Sequence, residues 1–249
     1  MKNTIILSIG IIALLFSCKK GDDKIDDHDH NHGSGKGSLS LATIFVVNGS
    51  TYHMDSTYTD DSGNNYKIAL ANVYLSQLRF EDHDGADRML DNSTVLLKPE
   101  VATYDLGDIE ASHFHEFKFN IGIDSATNHS DPNSYPTDSP LYPQSPSMHW
   151  TWSSGYIFYK IEGTVDTDND GTFETTFRFH IGTDPLLRKS SYVLHSDFSS
   201  GVINIVTMKI DLGKFLKGID LSVDNSTHTS NNMPLAVRVA DNGMTAFSK

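Results

Sequence analysis

The chain holds 249 residues, 38% hydrophobic and 20% charged, with 32 Asp and Glu against 19 Lys and Arg for a formal charge of −13 at pH 7. That acidic excess argues against a nucleic-acid partner, because neutralising phosphates takes a net basic face. The single cysteine, Cys18, excludes a disulfide framework and any cysteine-rich zinc or iron–sulfur centre.

In chain order, residues 1–17 read as a signal peptide. Lys2 precedes an apolar run from Ile5 to Phe16, which falls short of the roughly 20 residues a spanning helix needs. Leu15-Phe16-Ser17-Cys18 resembles a bacterial lipobox, with Cys18 as the lipidated first residue of the mature chain. The expected place is therefore extracytoplasmic, with the chain lipid-anchored to a bacterial outer membrane on its periplasmic side or at the cell surface. Residues 18–38 carry that cysteine and a polar tether with too little apolar surface to offset the entropy of ordering. Within it His28, His30 and His32 alternate with Asp27, Asp29 and Asn31, either a weak transition-metal tract or a solvated linker.

Residues 39–249 read as one all-β domain, a single β-sandwich or flattened barrel with long loops. The expected strands are Leu39–Asn48, Tyr66–Phe80 with a bend between Ala69 and Gln77, Thr94–Leu97, Phe114–Ile123, Tyr156–Val165, Thr172–Ile181, Val202–Leu212 and Leu235–Ala240. Leu212–Gly218 suggests a short helix, and the proline-rich stretch Ser125–Ser147 a long surface loop. In the clearest hairpin, which joins Tyr156–Val165 to Thr172–Ile181, Thr175, Phe177, Phe179 and Ile181 share one face, and Thr176, Arg178 and His180 the other.

Several groups of side chains suggest chemistry. Asp166, Asp168 and Asp170 followed by Gly171 repeat the opening of a calcium loop, with Glu174 at its ninth position. Phe177 stands where the bidentate glutamate belongs, so calcium would bind weakly, and a plain hairpin turn explains the same residues. His113 and His115 sit two apart on one expected strand face and could chelate a metal from it, but that face continues through Phe117, Phe119 and Ile121, which points instead to burial at a sheet edge. His195 reads as solvated. In Met148-His149-Trp150-Thr151-Trp152 the two indoles share a face; on physics alone this is an aromatic core plug with His149 bonded to a backbone carbonyl.

The segment MHWTWSSGYIFYKIEG, with FNIGIDSATN before it and FRFHIG after it, resembles the MbnP-like family of extracytoplasmic copper-binding proteins. STYTDDSGNNYKIALANVYLSQLRF and AVRVADNGMTAF resemble it too, so the likeness runs from Leu39 to the C-terminus. The resemblance implies copper bound beside histidines and a tryptophan oxidised to kynurenine by a partner enzyme of the dihaem cytochrome c peroxidase-like type. An intact indole offers no lone pair to a metal, whereas ring opening yields an aniline nitrogen and a carbonyl. By motif position Trp150 is the modified residue, with Trp152 second. His53 and His228 are the ligands the resemblance favours; His180 and His149 either ligate or support those that do.

No phosphate loop or nucleophile elbow appears, so the chain is not expected to be an enzyme. The rival expectation is a surface binding or adhesion module whose turns are clipped by calcium, without copper.

Overall fold

A computed structural model describes residues 35–150 and 154–249. The signal peptide, Cys18, the three tether histidines and Trp152 lie outside them. In chain order the strands are β1 (Lys36–Val47), β2 (Ser50–Thr51), β3 (Tyr58–Thr59), β4 (Asn65–Asp82), β5 (Asp87–Met89), β6 (Val95–Leu97), β7 (Thr103–Glu110), β8 (Ser112–Ile121), β9 (Ile157–Asp166), β10 (Thr175–Gly182), β11 (Arg188–Phe198), β12 (Ile203–Asp211), β13 (Ser226–Thr227) and β14 (Phe247–Ser248). The helices are α1 (Ser125–Asn128), α2 (Leu212–Phe215) and α3 (Met233–Gly243).

One mixed sheet runs β14-β12-β1-β2, with β7 also on β1; β1 and β12 are parallel from Ser38↔Ile203 to Val46↔Asp211. The second sheet is assembled around β4 in the order β11-β8-β4-β9-β10-β13, with β3, β5 and β6 also on β4. β4 serves β9 with Asn65–Val73 and β8 with Leu75–Asp82. Its register slips between Ile68 and Leu70 and again between Ser76 and Arg79, where Gln77 takes a φ of 50°; this is the expected bend. The sheets pack as a sandwich. Phe119 on β8 meets Phe247 on β14 at 5.2 Å, and the Tyr192 hydroxyl on β11 donates to the Thr207 carbonyl on β12. The buried aromatic side chains Tyr66, Phe80, Phe117, Phe119, Phe158, Phe177 and Phe179 dominate the core, each worth about 2–3 kcal/mol in apolar burial.

Four expectations need correction. Leu235–Ala240 is not a strand but the middle of α3. The Asn232 side chain accepts the Leu235 N–H, Pro234 starts the first turn, and Leu235, Ala236, Val239 and Ala240 bury one helical stripe. β7 and β11 are additional strands hidden by polar composition: β11 reads RKSSYVLHSDF and buries only Leu194 and Phe198. β1 begins at Lys36, so the sandwich takes in the last residues assigned to the tether.

The fourth concerns His113 and His115. Across β4 the register passes from Glu81↔Glu116 directly to Asp82↔Phe114, which leaves His115 as an extra residue. This bulge inverts the alternation: Phe114 is buried along with Phe117 and Phe119, and the two histidines leave the core face.

Candidate metal centre

Alternation along β10 sends Phe177, Phe179 and Ile181 into the core and His180 to the opposite face. His180 is nonetheless only 8% exposed. Lys160 on β9 is its cross-strand partner, and Glu162, two residues on, brings Oε1 to 2.5 Å from His180 Nε2. Lys160 Nζ lies 3.9 Å from the same carboxylate and donates to the Ser147 carbonyl at 3.2 Å. Burial is the main force holding the His180 imidazole below the ordinary histidine range, helped by the His228 and Lys160 charges and opposed by Glu162. A neutral ring with one nitrogen committed to a carboxylate is how proteins present the other nitrogen to a metal.

His228 is brought to this ring by the residue after it. β13 runs parallel to β10 and leads into Thr229, at a φ of 64°. The Thr229 hydroxyl donates to the His180 carbonyl at 2.9 Å and accepts the Gly182 N–H at 3.0 Å. The exposed His228 ring then stands edge-to-face on His180 with centroids 4.4 Å apart. Two imidazoles on one ion, at metal–nitrogen distances of about 2.0–2.1 Å, would place their centroids about 4.5–5.5 Å apart. At 4.4 Å the pair stands just inside that spacing, so a small outward turn of the exposed His228 ring would make room for an ion.

Trp150 closes the same corner. Its backbone N–H donates to the Gly155 carbonyl, and the half-buried indole lies against Gly182 so closely that a Cβ there would sit 2.8 Å from Cζ3. His149 bridges Tyr156 and packs edge-on against its ring at 4.8 Å. Among the described residues the expected carbonyl bond is not made. Among the same residues His149 Nε2 is buried without a hydrogen-bond partner, and burial holds the ring's pKa below the ordinary histidine range, so the ring is neutral at pH 7 and one of its two nitrogens carries a lone pair.

The MbnP family model matches residues 36–233, from the start of β1 to the first residue of α3. The chain belongs to the MbnP family. MbnP from Methylosinus trichosporium, a solved structure, has the same fold at a TM-score of 0.55 and 16% identity, covering 77% of this chain and 81% of that one. No curated protein matches the sequence. The matched residues include His149, Trp150, His180 and His228.

The MbnP sandwich does not bring His53 to that corner. His53 is exposed in the turn between β2 and β3, where its N–H donates to the Tyr58 hydroxyl at 2.9 Å. Tyr58 pairs with Tyr66 on β4, whereas the His180 row crosses β4 at Asn72. Six residues of extended chain amount to roughly 20 Å. The likeness in spacing that favoured His53 therefore gives way to topology.

The acidic turn does assemble. One oxygen from each of Asp166, Asp168, Asp170 and Glu174 lies within 4.8 Å of the others. Asp166 is buried and accepts the Asp170 and Gly171 N–H groups, while Thr167 donates its hydroxyl and its N–H to Glu174. Asp82, His83 and Asp84 form a second such group, unnoticed in the sequence; Asp82 is engaged by two turn N–H groups and Arg88.

Proposed function

We propose that this MbnP-family chain is a lipid-anchored, extracytoplasmic copper-binding protein that captures, stores or delivers the ion. Its binding residues would be His180, His228 and a Trp150 converted to kynurenine by a dihaem cytochrome c peroxidase-like partner, with His149 as a further nitrogen at the rim. The observation that carries the reading is the His180–His228 pair, 4.4 Å apart beside Trp150. Neutral imidazoles suit copper, which heads the affinity order for such donors. Glu162 fixes the His180 ring, Thr229 fixes the chain that carries His228, and Gly182 leaves room for the aromatic side chain. Kynurenine at position 150 would add an amine and a carbonyl where indole has neither.

Copper(I) competition titrations on the full chain, with and without His28→Asn, His30→Asn and His32→Asn, test this. The expected result is one equivalent retained in the tether variant; loss of all tight binding with the tether sinks the folded site. Mass spectrometry of native material is expected to show about +4 Da on the Trp150 peptide and a lipidated N-terminus at Cys18. An unmodified Trp150 removes that ligand from the reading, and an unlipidated Cys18 removes the anchor.

The four gathered carboxylates favour a second reading, a calcium-clipped surface module. For a weak site, about 10 mM calcium is expected to add about 2 kcal/mol of stability by mass action, raising Tm by about 4–8 °C. Asp168→Asn with Glu174→Gln should erase the gain. Indifference of Tm to calcium in the parent chain leaves a plain turn.

A further inference from the structure

Lys160 is a buried charge that the proposed ligand set leaves unused. On β9 it pairs with Asn72 of β4 and His180 of β10, so it stands in the middle of a row whose three side chains are all buried. Its Nζ donates to the Ser147 carbonyl at 3.2 Å and lies 3.9 Å from the Glu162 Oε1 that holds His180. We propose that Lys160 is a selectivity residue: by offsetting the Glu162 charge it makes the His180–His228 site prefer monovalent copper to a divalent ion. The inference rests on the copper reading above and adds the charge state of the ion.

Three observations carry it. First, neither contact needs a charge. Any neutral donor would satisfy the Ser147 carbonyl, and an amide oxygen would orient the His180 ring as a carboxylate does. Burying a charge pair carries a desolvation penalty that mutual attraction often fails to offset, so the pair is weak evidence for stability. Its field is what two neutral groups would lack.

Second, both charges lie close to where an ion would sit. Glu162 occupies His180 Nε2, which leaves Nδ1 as the donor. With a metal–nitrogen bond of about 2.0–2.1 Å at Nδ1, these contacts put the ion within about 7 Å of the Glu162 oxygen and about 11 Å of Lys160 Nζ. At an effective dielectric constant of about 20, a unit charge at the longer distance changes affinity by about tenfold for each further unit of ionic charge.

Third, the lysine is held in place. A surface lysine swings through solvent and its field is screened by salt, but this one is buried and tied to the Ser147 carbonyl. With the carboxylate offset, the site is a set of neutral donors. Such a set returns little to a divalent ion for its lost hydration, and copper(I) forfeits less.

Affinities for copper(I) and zinc, measured on the full chain carrying His28→Asn, His30→Asn and His32→Asn, test the proposal. In Lys160→Met the ratio of zinc to copper(I) affinity is expected to rise about tenfold, and the copper(II)/copper(I) reduction potential to fall by about 59 mV. Lys160→Gln keeps a donor for the Ser147 carbonyl and should shift both alike. Glu162→Gln keeps an acceptor for His180 and should shift both the other way, by at least as much. Opposite shifts are the signature of charge, since a lysine that only ties down Ser147 would leave the ratio and the potential unmoved in Lys160→Gln. An unmoved ratio in the lysine variants, or a shift of the same sign in Glu162→Gln, overturns the inference. Should neither lysine variant fold, the fall in Glu162→Gln, where the Lys160 charge stands unopposed, decides it. A parent chain that takes up no copper(I) overturns the copper reading itself, whereas a parent that binds it with an unmoved ratio overturns only the part played by Lys160.

Discussion

His180→Ala is expected to lower copper(I) affinity by at least about 100-fold, a larger loss than His228→Ala produces. Removing a partner that only orients a ligand already costs about 10–100-fold, so losing the ligand itself should exceed that range. The ranking follows from preorganisation. His180 is fixed by its strand, by Glu162 and by burial, so binding orders little that is not ordered already, whereas the exposed His228 ring loses rotamer freedom when it ligates. Competition titration of the three chains checks the order, and equal losses would show that the Glu162-held ring is no better prepared than its neighbour.

The same residue sets a pH signature. Its folded pKa lies below the ordinary value of 6.5, so between those two values the unfolded chain holds more protons than the folded one. Stability therefore rises with pH in that window. Its contribution is complete above about pH 6.5 and is lost as pH falls toward the depressed value. Unfolding by urea at stepped pH should show acid weakening that flattens in His180→Ala. For copper the consequence has the opposite sense to that of a solvated histidine: the buried ring stays neutral, and so competent to bind, at a pH where a free imidazole is already protonated.

How much of this was legible in the letters varies with the physics that sets each feature. Alternation announced β10 and both of its faces, because Phe177, Phe179 and Ile181 are apolar at every second position around Arg178 and His180. It failed for β11, whose outer face is polar and whose inner face is mostly half-buried, and for α3, where Val237 and Val239 mimic a strand. There the Asn232 cap and Pro234 were the available signal, readable as a helix start. The candidate site was half legible. His180, His149 and Trp150 stand in local motifs close to β9 and β10, so chain proximity already grouped them. His228 joins them through a parallel pairing at β13 that no spacing rule encodes, and His53 looked equivalent until the β3–β4 pairing placed it at the other end. The outward turn of His113 and His115 was hidden for a sharper reason. A strict period of two assigns the pair to the phenylalanine face, and a single inserted residue reverses that assignment.

Gly163→Ala is expected to destabilise the sandwich by about 3 kcal/mol or more, the upper end of overpacking costs. Gly163 lies within β9, paired with Ile68 on β4 and Phe177 on β10. A Cβ there would stand 2.0 Å from the Lys67 carbonyl oxygen and 2.5 Å from Phe177 Cζ. The first is backbone, held in the ladder that joins β4 to β9, and it cannot swing aside as a flexible side chain can. The second is the tip of a fully buried ring, packed against Tyr66 at 6.1 Å and Phe179 at 5.7 Å. Where a glycine has ordinary space and conformation, alanine usually stabilises by about 0.4–1 kcal/mol through the unfolded chain, so here sterics decide the sign. For a domain of this size the loss corresponds to a fall in Tm of about 6–12 °C. Gly49→Ala is the control: at a φ of +83° with nothing within 4 Å of the new methyl, it pays only left-handed strain, about 1–2 kcal/mol. If the two variants melted together, the close approach of β4 to β9 would not be what demands a glycine at 163. The phenylalanine face would then have slack to absorb a methyl, and β10 would hold His180 less firmly than its burial implies.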